Sequence, residues 1–499
     1  MLSRREFGAA TGSLVALQLC RLPAFAQGTL PARRSVGTLA PDDPDLLAYR
    51  RAVEAMQALP PTDARNWQRQ AQIHDDHCPH GNWYFLPWHR AYLVAFERIC
   101  RQLSGKADFA LPYWDWTVDR QLPPAFTSGT SVENKLNHPR PGFDPGDSLS
   151  DEFIGEEVIR FILDSPDFES LGSRRTAGQN SAALTWLRKG GETTELEGTP
   201  HNNVHRILSG DMGGFQSPRD PIFWLHHCNV DRLWAQWNAD HLNSDESFWL
   251  DMDLSGQFAN TDGSAWSVKV ADMAGRSTDT LGYRYEAAPQ IAEVAERNTR
   301  LAQFRSLQSG ARIRSLEEGG PETVELPGGS RGRLAATTNT RSADKNTPLS
   351  IPVKIGTSIE ELVPRQLIAP SGEERSVRSA EALRSGQSPR VTAQILNVEA
   401  PRDKSTFIRV FVNHDNLKPD TPISDPHYVT SLAFFAEDHH GDAHDSKRSF
   451  SVDITSALAK AERAGSLDGD QIVVQLVVIG EGEVSGTAVT PAAVEVTVL

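Results

Sequence analysis

The sequence predicts a mainly α-helical core followed by an all-β, sandwich-like domain, and three observations carry that prediction. Apolar residues recur at helical spacing in several segments between Pro44 and Asn238. From residue 391 onward, short segments alternate apolar and polar side chains instead. Between the two patterns, residues 309–348 form a Gly/Ser/Thr/Pro-rich tract that reads as a linker open to proteolysis.

In chain order, Ser3-Arg4-Arg5-Glu6-Phe7, a weakly apolar run from Gly8 to Cys20 and Ala24-Phe25-Ala26 before Gln27 make residues 1–26 a twin-arginine export signal. The destination is then the periplasm or the medium. The apolar run is too short to span a bilayer, and bulky Leu19 before Cys20 argues against a lipid anchor. Residues 28–48 are a Pro/Arg/Asp-rich lead-in. Leu47, Val53 and Met56 mark a helix that Pro60-Pro61 stops, and Asp63 is placed to cap a second helix running through Trp67 to His74. A third helix, from Trp88 to Leu103, lines an apolar face with Leu93, Phe96, Ile99, Cys100 and Leu103.

Leu111 to Trp116 is too aromatic and Pro-bound for a helix and reads as a cover over the bundle, and residues 118–150 read as a loop with His138 at the surface. Helical patches at 151–164 and 180–189 precede a helix from Pro221 through Asn238. Short alternating runs at 266–270 and 283–285 suggest a strand-bearing extension, followed by a helical pattern from Pro289 to Leu307. Strands are expected at 391–398, 406–412, 428–435, 448–453, 471–479 and 492–499.

The net charge of −15 is spread along the chain without a Lys/Arg stripe, which argues against a nucleic-acid groove. If Cys20 leaves with the signal, Cys78, Cys100 and Cys228 remain, an odd set that makes no disulfide framework. Cys100 and Cys228 lie on apolar helix faces and read as buried fillers.

The chemistry gathers in two windows. His74, His77, His80 and His89 lie in one, and His201, His205, His226 and His227 in the other, together eight of the chain's 15 histidines. His201 and His205 stand four apart on one helix face, where one metal ion can take both. Asn202 occupies the place where a zinc protease carries glutamate, so that reading fails. His226 and His227 are about 100° apart around their helix and do not serve one ion together. In the first window His74 or His77 completes a trio with His80 and His89. Three imidazoles per ion without a carboxylate suit copper best, with zinc behind it. A di-iron bundle would need Glu-x-x-His motifs, which these windows lack.

His80-Gly-Asn-Trp-Tyr-Phe85-Leu-Pro-Trp88-His89-Arg90-Ala-Tyr-Leu93-Val-Ala-Phe-Glu97 resembles the first copper signature of the tyrosinase/polyphenol oxidase family, and Asp220-Pro-Ile-Phe223-Trp-Leu-His226-His227-Cys-Asn-Val-Asp231-Arg-Leu-Trp234 resembles the second. The resemblance implies a four-helix bundle holding two copper ions, one on His74, His80 and His89 and the other on His201, His205 and His227. His74 is preferred to His77 because His74-x-x-x-Cys78 matches the plant spacing. His226, Asp231 and Arg90 would then stand behind the ligands. Cys78 would join His80 through a thioether. Glu97 receives no role beyond its helix.

The chemistry so implied is oxidation by O2 of phenolic small molecules, o-diphenols to o-quinones, with ortho-hydroxylation of monophenols in tyrosinases. Glu197 and Asn202 match the family's water-holding pair, and Asn202 tilts the reading towards monophenolase activity. Glu192 and Glu195 are read as surface charges. Arg206, after His205, would meet carboxylate-bearing substrates, and Phe215 aligns with an aromatic gate over the first copper, although the connection from Phe215 to Asp220 is one residue shorter than in plant enzymes. Phe248 through Tyr285 and the strands from Phe407 onward resemble the plant extension and the plant C-terminal domain that covers the site in latent enzymes. The domain plan is a core at 27–245, an extension at 246–308, the linker at 309–348 and a β shielding domain at 349–499, with Phe434 and Phe435 as candidates to plug the pocket. Rival readings are a diphenolase-only catechol oxidase, an o-aminophenol oxidase and a hemocyanin-type oxygen carrier. A copper chaperone is a candidate partner.

Overall fold

In the helical part, helix ends follow local chemistry. α1 (Pro44–Ala58) starts with proline in its first turn, and the Asp43 carboxylate accepts from the Asp45 N–H. α2 (Trp67–His77) is capped by Asn66, whose side chain accepts from Gln68 N–H. The expected cap, Asp63, instead closes a turn onto Arg65, because it lies too far ahead of the first helical residue. α3 (Phe85–Ser104) begins three residues earlier than the apolar pattern suggests and ends on Gly105, which adopts the left-handed conformation that side chains avoid. The structure is a computed structural model describing residues 30–286, 332–356, 390–435, 447–463 and 470–498. The expected export signal and the helix expected at 289–307 lie outside them.

The stretch 151–164 splits at Gly155 into a four-residue turn of helix and α4 (Glu156–Leu163). Residues 184–188 make only a short 3₁₀ turn. Glu197–His201 is a wide π-helical turn leading into α5 (Asn202–Leu208). Pro200 inside that turn has no N–H to give to the usual carbonyl, so the tighter α ladder cannot form there. α6 (Ile222–Trp237) completes the bundle and packs on α3 around a core rich in tryptophan.

Two short strands, β1 (Ala32–Arg33) and β2 (Arg284–Tyr285), pair in parallel and bring the lead-in against the end of the extension. The expected strand at 266–270 is not formed. Val270 starts a helical turn, and Lys269 makes only an isolated bridge with Asp253.

The C-terminal part is a sandwich of two antiparallel four-stranded sheets. The strands are β3 (Gly332–Thr338), β4 (Leu349–Lys354), β5 (Val391–Glu399), β6 (Phe407–Val412), β7 (Tyr428–Ala433), β8 (Lys447–Asp453), β9 (Gln471–Ile479) and β10 (Ala493–Val498). One sheet has the order β3-β10-β5-β8 and the other β4-β9-β6-β7. Ile395, Val410, Leu476 and Val494 are among the residues that fill the space between them. The tract at 309–348 is therefore not linker throughout: its residues 332–338 pair with β10, which supplies the partner that composition cannot reveal. β4 and the helix α7 (Thr455–Arg463) are further elements beyond the sequence reading.

The sandwich sits on the helical core. Arg409 donates twice to Glu152, at 2.7 and 2.8 Å, and Ser431 donates to the same carboxylate at 2.5 Å. Thr193 joins the edge of β8 through its N–H to Ser449 O and its carbonyl to Ser451 N–H. Gly198 permits the closest approach, since a Cβ there would lie 2.9 Å from Leu432.

Candidate metal centre

Seven histidines converge at the centre of the bundle. α2 supplies His74, the loop before α3 supplies His80, and the first turns of α3 supply His89. The π turn and α5 supply His201 and His205, and α6 carries His226 and His227. The rings of His89 and His227 stack at 4.4 Å and 12°, so the two windows meet face to face. Burial holds the imidazoles of His80, His89, His201, His205, His226 and His227 below the usual histidine range; His89 is brought to about 3 and His205 to about 4. They are neutral at physiological pH, the form in which imidazole ligates metals.

The donor set fits a pair of metal ions. His74 Nδ1 bonds Phe215 O at 2.7 Å, His89 Nδ1 bonds Phe85 O at 2.8 Å, and His205 Nδ1 bonds Met212 O at 2.7 Å. Each ring nitrogen facing a carbonyl must carry the proton, which leaves Nε2 with a lone pair. Yet His74 Nε2 and His89 Nε2 face each other at 3.4 Å. His205 Nε2 and His227 Nε2 do the same at 3.3 Å. Two lone pairs 3.4 Å apart repel unless a cation lies between them, and both nitrogens of His80 and Nε2 of His201 are buried without partners. His77 is half-buried at the end of α2 and belongs to neither cluster of potential ligands in the helical core. Cys78 is a free, buried cysteine, and its sulfur lies within 4.8 Å of ring nitrogens of His74 and His80.

Glu197 is buried beside this centre. One oxygen accepts from Gly81 N–H at 2.7 Å and the other from the Ser173 hydroxyl at 2.5 Å. Burial pushes its carboxyl up to about 7, against the pull of those two donors. Ser173, which the sequence reading missed, holds the left-handed conformation at φ 68° with its side chain fully buried. A serine in a loop carries no pattern by which it could have been found. The Asn202 carbonyl oxygen accepts from His201 Nδ1 at 2.8 Å, while its amide donates to Ala433 O of the β domain at 2.9 Å.

Phe215 lies at the first trio, 6.0 Å from the His80 ring and 6.2 Å from that of His74. Phe435, just past β7, enters the pocket: its ring is 4.7 Å from His205 and 5.6 Å from His201. Phe434 turns away and packs on Phe450. Two charges differ from expectation. Arg206 does not face the pocket; it donates to Asn203 and to Ser405 O and lies 4.6 Å over the Phe407 ring, between the two domains. Glu195 is not at the surface but buried against β8, accepting from Asp453 N–H, and burial raises its carboxyl to about 7.

Behind the histidines, Asp231 accepts from Arg90 at 2.5 Å and from Tyr283 and Tyr285 at 2.6 Å each. Arg33 bridges Asp231 to Glu97, whose carboxylate also takes the Leu111 N–H and Arg101. This buried network ties α3 to α6 and accounts for Glu97.

Comparison with known proteins places this geometry. The family model described as the common central domain of tyrosinase matches residues 62–155 and 156–240. Tyrosinase HcTyr1 from Hahella sp. (strain CCB-MM4) is 30% identical over 295 residues, covering 49% of this chain and 61% of that protein. A chloroplastic polyphenol oxidase from Malus domestica is 32% identical over 278 residues, 48% of this chain and 46% of its own length. The chain thus spans about half to three-fifths of these relatives. The fold of latent apple tyrosinase superposes with a TM-score of 0.63 over 95% of this chain and 98% of that one, at 21% identity. Among the described residues no helix is long and apolar enough to cross a membrane. Tyrosinases carry a dinuclear copper centre, the histidines gathered here offer the donors for one, and residues 62–240 of the chain match the central domain that tyrosinases share.

Proposed function

We propose that the chain is a copper-dependent phenol oxidase, turning o-diphenols into o-quinones and ortho-hydroxylating monophenols, and that its β domain holds it latent. The observation that carries the reading is the pair of facing imidazole couples, His74 with His89 and His205 with His227, beside Glu197 and Asn202. His74, His80 and His89 would hold one copper, and His201, His205 and His227 the other. The copper pair supplies the activation of O2 and the oxidation of the bound phenol. A phenol of pKa about 10 must shed its proton to become a good donor, and Glu197, a buried carboxylate of about 7, is suited to take it. Gly81 and Ser173 hold that carboxylate in place. Asn202 would orient the water between base and phenol once its amide is released from Ala433.

Latency follows from Phe435, whose ring occupies the space over His80 and His205 that an aromatic substrate would need. Phe215 would form the opposite wall as the gate. A thioether between Cys78 and His80 would fix that imidazole and remove a buried thiol from oxidation. Export by the twin-arginine route would carry the folded, metal-loaded chain.

Copper-loaded protein should be given L-tyrosine, catechol and an o-aminophenol separately, before and after limited proteolysis. Quinone colour that strengthens after proteolysis is expected. No colour from any of the three, together with reversible O2 binding, would overturn the enzyme reading in favour of an oxygen carrier.

A further inference from the structure

The imidazoles of the centre do not all place their protons alike. His74, His89, His201 and His205 each direct Nδ1 at an oxygen, so Nε2 keeps its lone pair. His226 is wired the other way. The indole N–H of Trp116 meets His226 Nδ1 at 3.0 Å, and both side chains are fully buried. Indole nitrogen only donates, so neutral His226 accepts at Nδ1 and carries its proton on Nε2, where it has no partner.

That ring is nonetheless within reach of the second trio. One of its nitrogens lies within 4.8 Å of a nitrogen from each of His201, His205 and His227, and it stacks on His201 at 5.3 Å and 23°. Four imidazoles thus crowd a place for three. A nitrogen bearing hydrogen has no lone pair to offer a metal. We propose that Trp116 is a positioning residue that fixes the Nε2–H tautomer of His226, excludes that ring from the second copper and so leaves the ligand set to His201, His205 and His227.

The segment carrying Trp116 is held in register for this task. Trp114 N–H donates to Leu225 O, the residue before His226, so the segment tracks the turn of α6 that bears both adjacent histidines. Without the indole, His226 can move its proton to Nδ1 and present a fourth lone pair to the metal. The proposal rests on the copper reading above only for the identity of the ion; the tautomer is a property of the metal-free chain.

The test therefore begins without copper. In full-length apo-protein with 15N-labelled histidine, long-range proton–nitrogen spectra should show His226 protonated on Nε2, its signals identified by their loss in His226→Leu. A proton on Nδ1 would overturn the proposal, and this measurement needs no Trp116 variant to fold. The second readout is transfer of bound copper to a chelator. Trp116→Phe should speed release of one of the two coppers by about tenfold, and the effect should vanish in the His226→Leu background. An equal acceleration in both backgrounds would mean that Trp116 acts only as packing, and the proposal falls. A wild-type chain that takes up no copper sinks the functional reading; one that takes up two with the Nδ1 tautomer sinks this proposal alone.

Discussion

Phe435 lies over His80 with ring centroids 4.3 Å apart and 31° between the planes, so a side chain of the β domain touches a histidine of the metal centre. Replacing it with alanine removes a buried ring whose loss costs about 3 kcal/mol in comparable cores. Phe435→Ala is expected to raise catechol turnover of uncleaved protein between about tenfold and ~100-fold, since ~1.4 kcal/mol is a factor of ten. Turnover unchanged from wild type, in protein that remains activatable by protease, would show that the ring does not block access.

Glu152 is one of the points at which the β domain is seated on the core. Glu152→Ala leaves Arg409 and Ser431 without their shared acceptor, a loss of about 1.5 kcal/mol for part-buried hydrogen bonds to a charged group. We expect faster proteolytic separation of the domains and higher basal activity, with the copper content unchanged. Quantifying intact chain by gel over a protease time course checks this, and a time course matching wild type would count against it.

Glu195 and Glu197 both have carboxyls raised to about 7 by burial, from an ordinary 4.5. The native state therefore binds protons that the unfolded chain has released. Their contribution to stability is fully present below about pH 4.5 and is lost as pH rises through 7, a swing on the order of 3 kcal/mol for each. In copper-free protein the buried neutral imidazoles oppose this with a positive slope below about pH 6.5, so the carboxyl contribution is read as a difference: in chemical denaturation, the stability of wild type minus that of Glu195→Gln should fall as pH rises over this window.

Ser173 combines a hydroxyl on Glu197 with a backbone conformation that serine rarely adopts. Ser173→Gly relieves the backbone but deletes the hydroxyl, and Ser173→Ala deletes the hydroxyl alone. Both should lower monophenol hydroxylation by about tenfold relative to catechol oxidation, the loss of roughly 1.4 kcal/mol from a hydrogen bond to a charged group. Only the alanine variant should melt below wild type. Steady-state rates on the two substrates, with thermal melts, separate the effects.

The six candidate ligands were legible because they sit in short windows whose spacing carries helix geometry, and the alternating strands because each spans several residues of one period. Partners far apart in sequence were not. Trp116 meets His226 across 110 residues and Ser173 meets Glu197 across 24, neither within a repeating pattern. β3 was lost in a tract whose composition imitates a linker, because its pairing with β10 is supplied from the other end of the domain. Arg206 illustrates the opposite failure. A charge next to a ligand invites a substrate, but the neighbouring domain had already taken it. Phe435 was visible only as one of two adjacent aromatics, and the register at the end of β7 chose between them.

The parallel pairing of β1 with β2 sets how far this chain can be trimmed. Arg33 enters the buried charge network from one end of the core, and Tyr285 enters it from the other, hydrogen-bonded to each other at 3.0 Å and both to Asp231 on α6. If the β domain holds the enzyme latent, as proposed, an activating cut that keeps this network whole falls after Tyr285, and a cut at the front falls before Arg33. The smallest fragment that keeps the network is bounded on both sides by one hydrogen bond, and a cut on the wrong side of it would loosen the helices that carry the histidines.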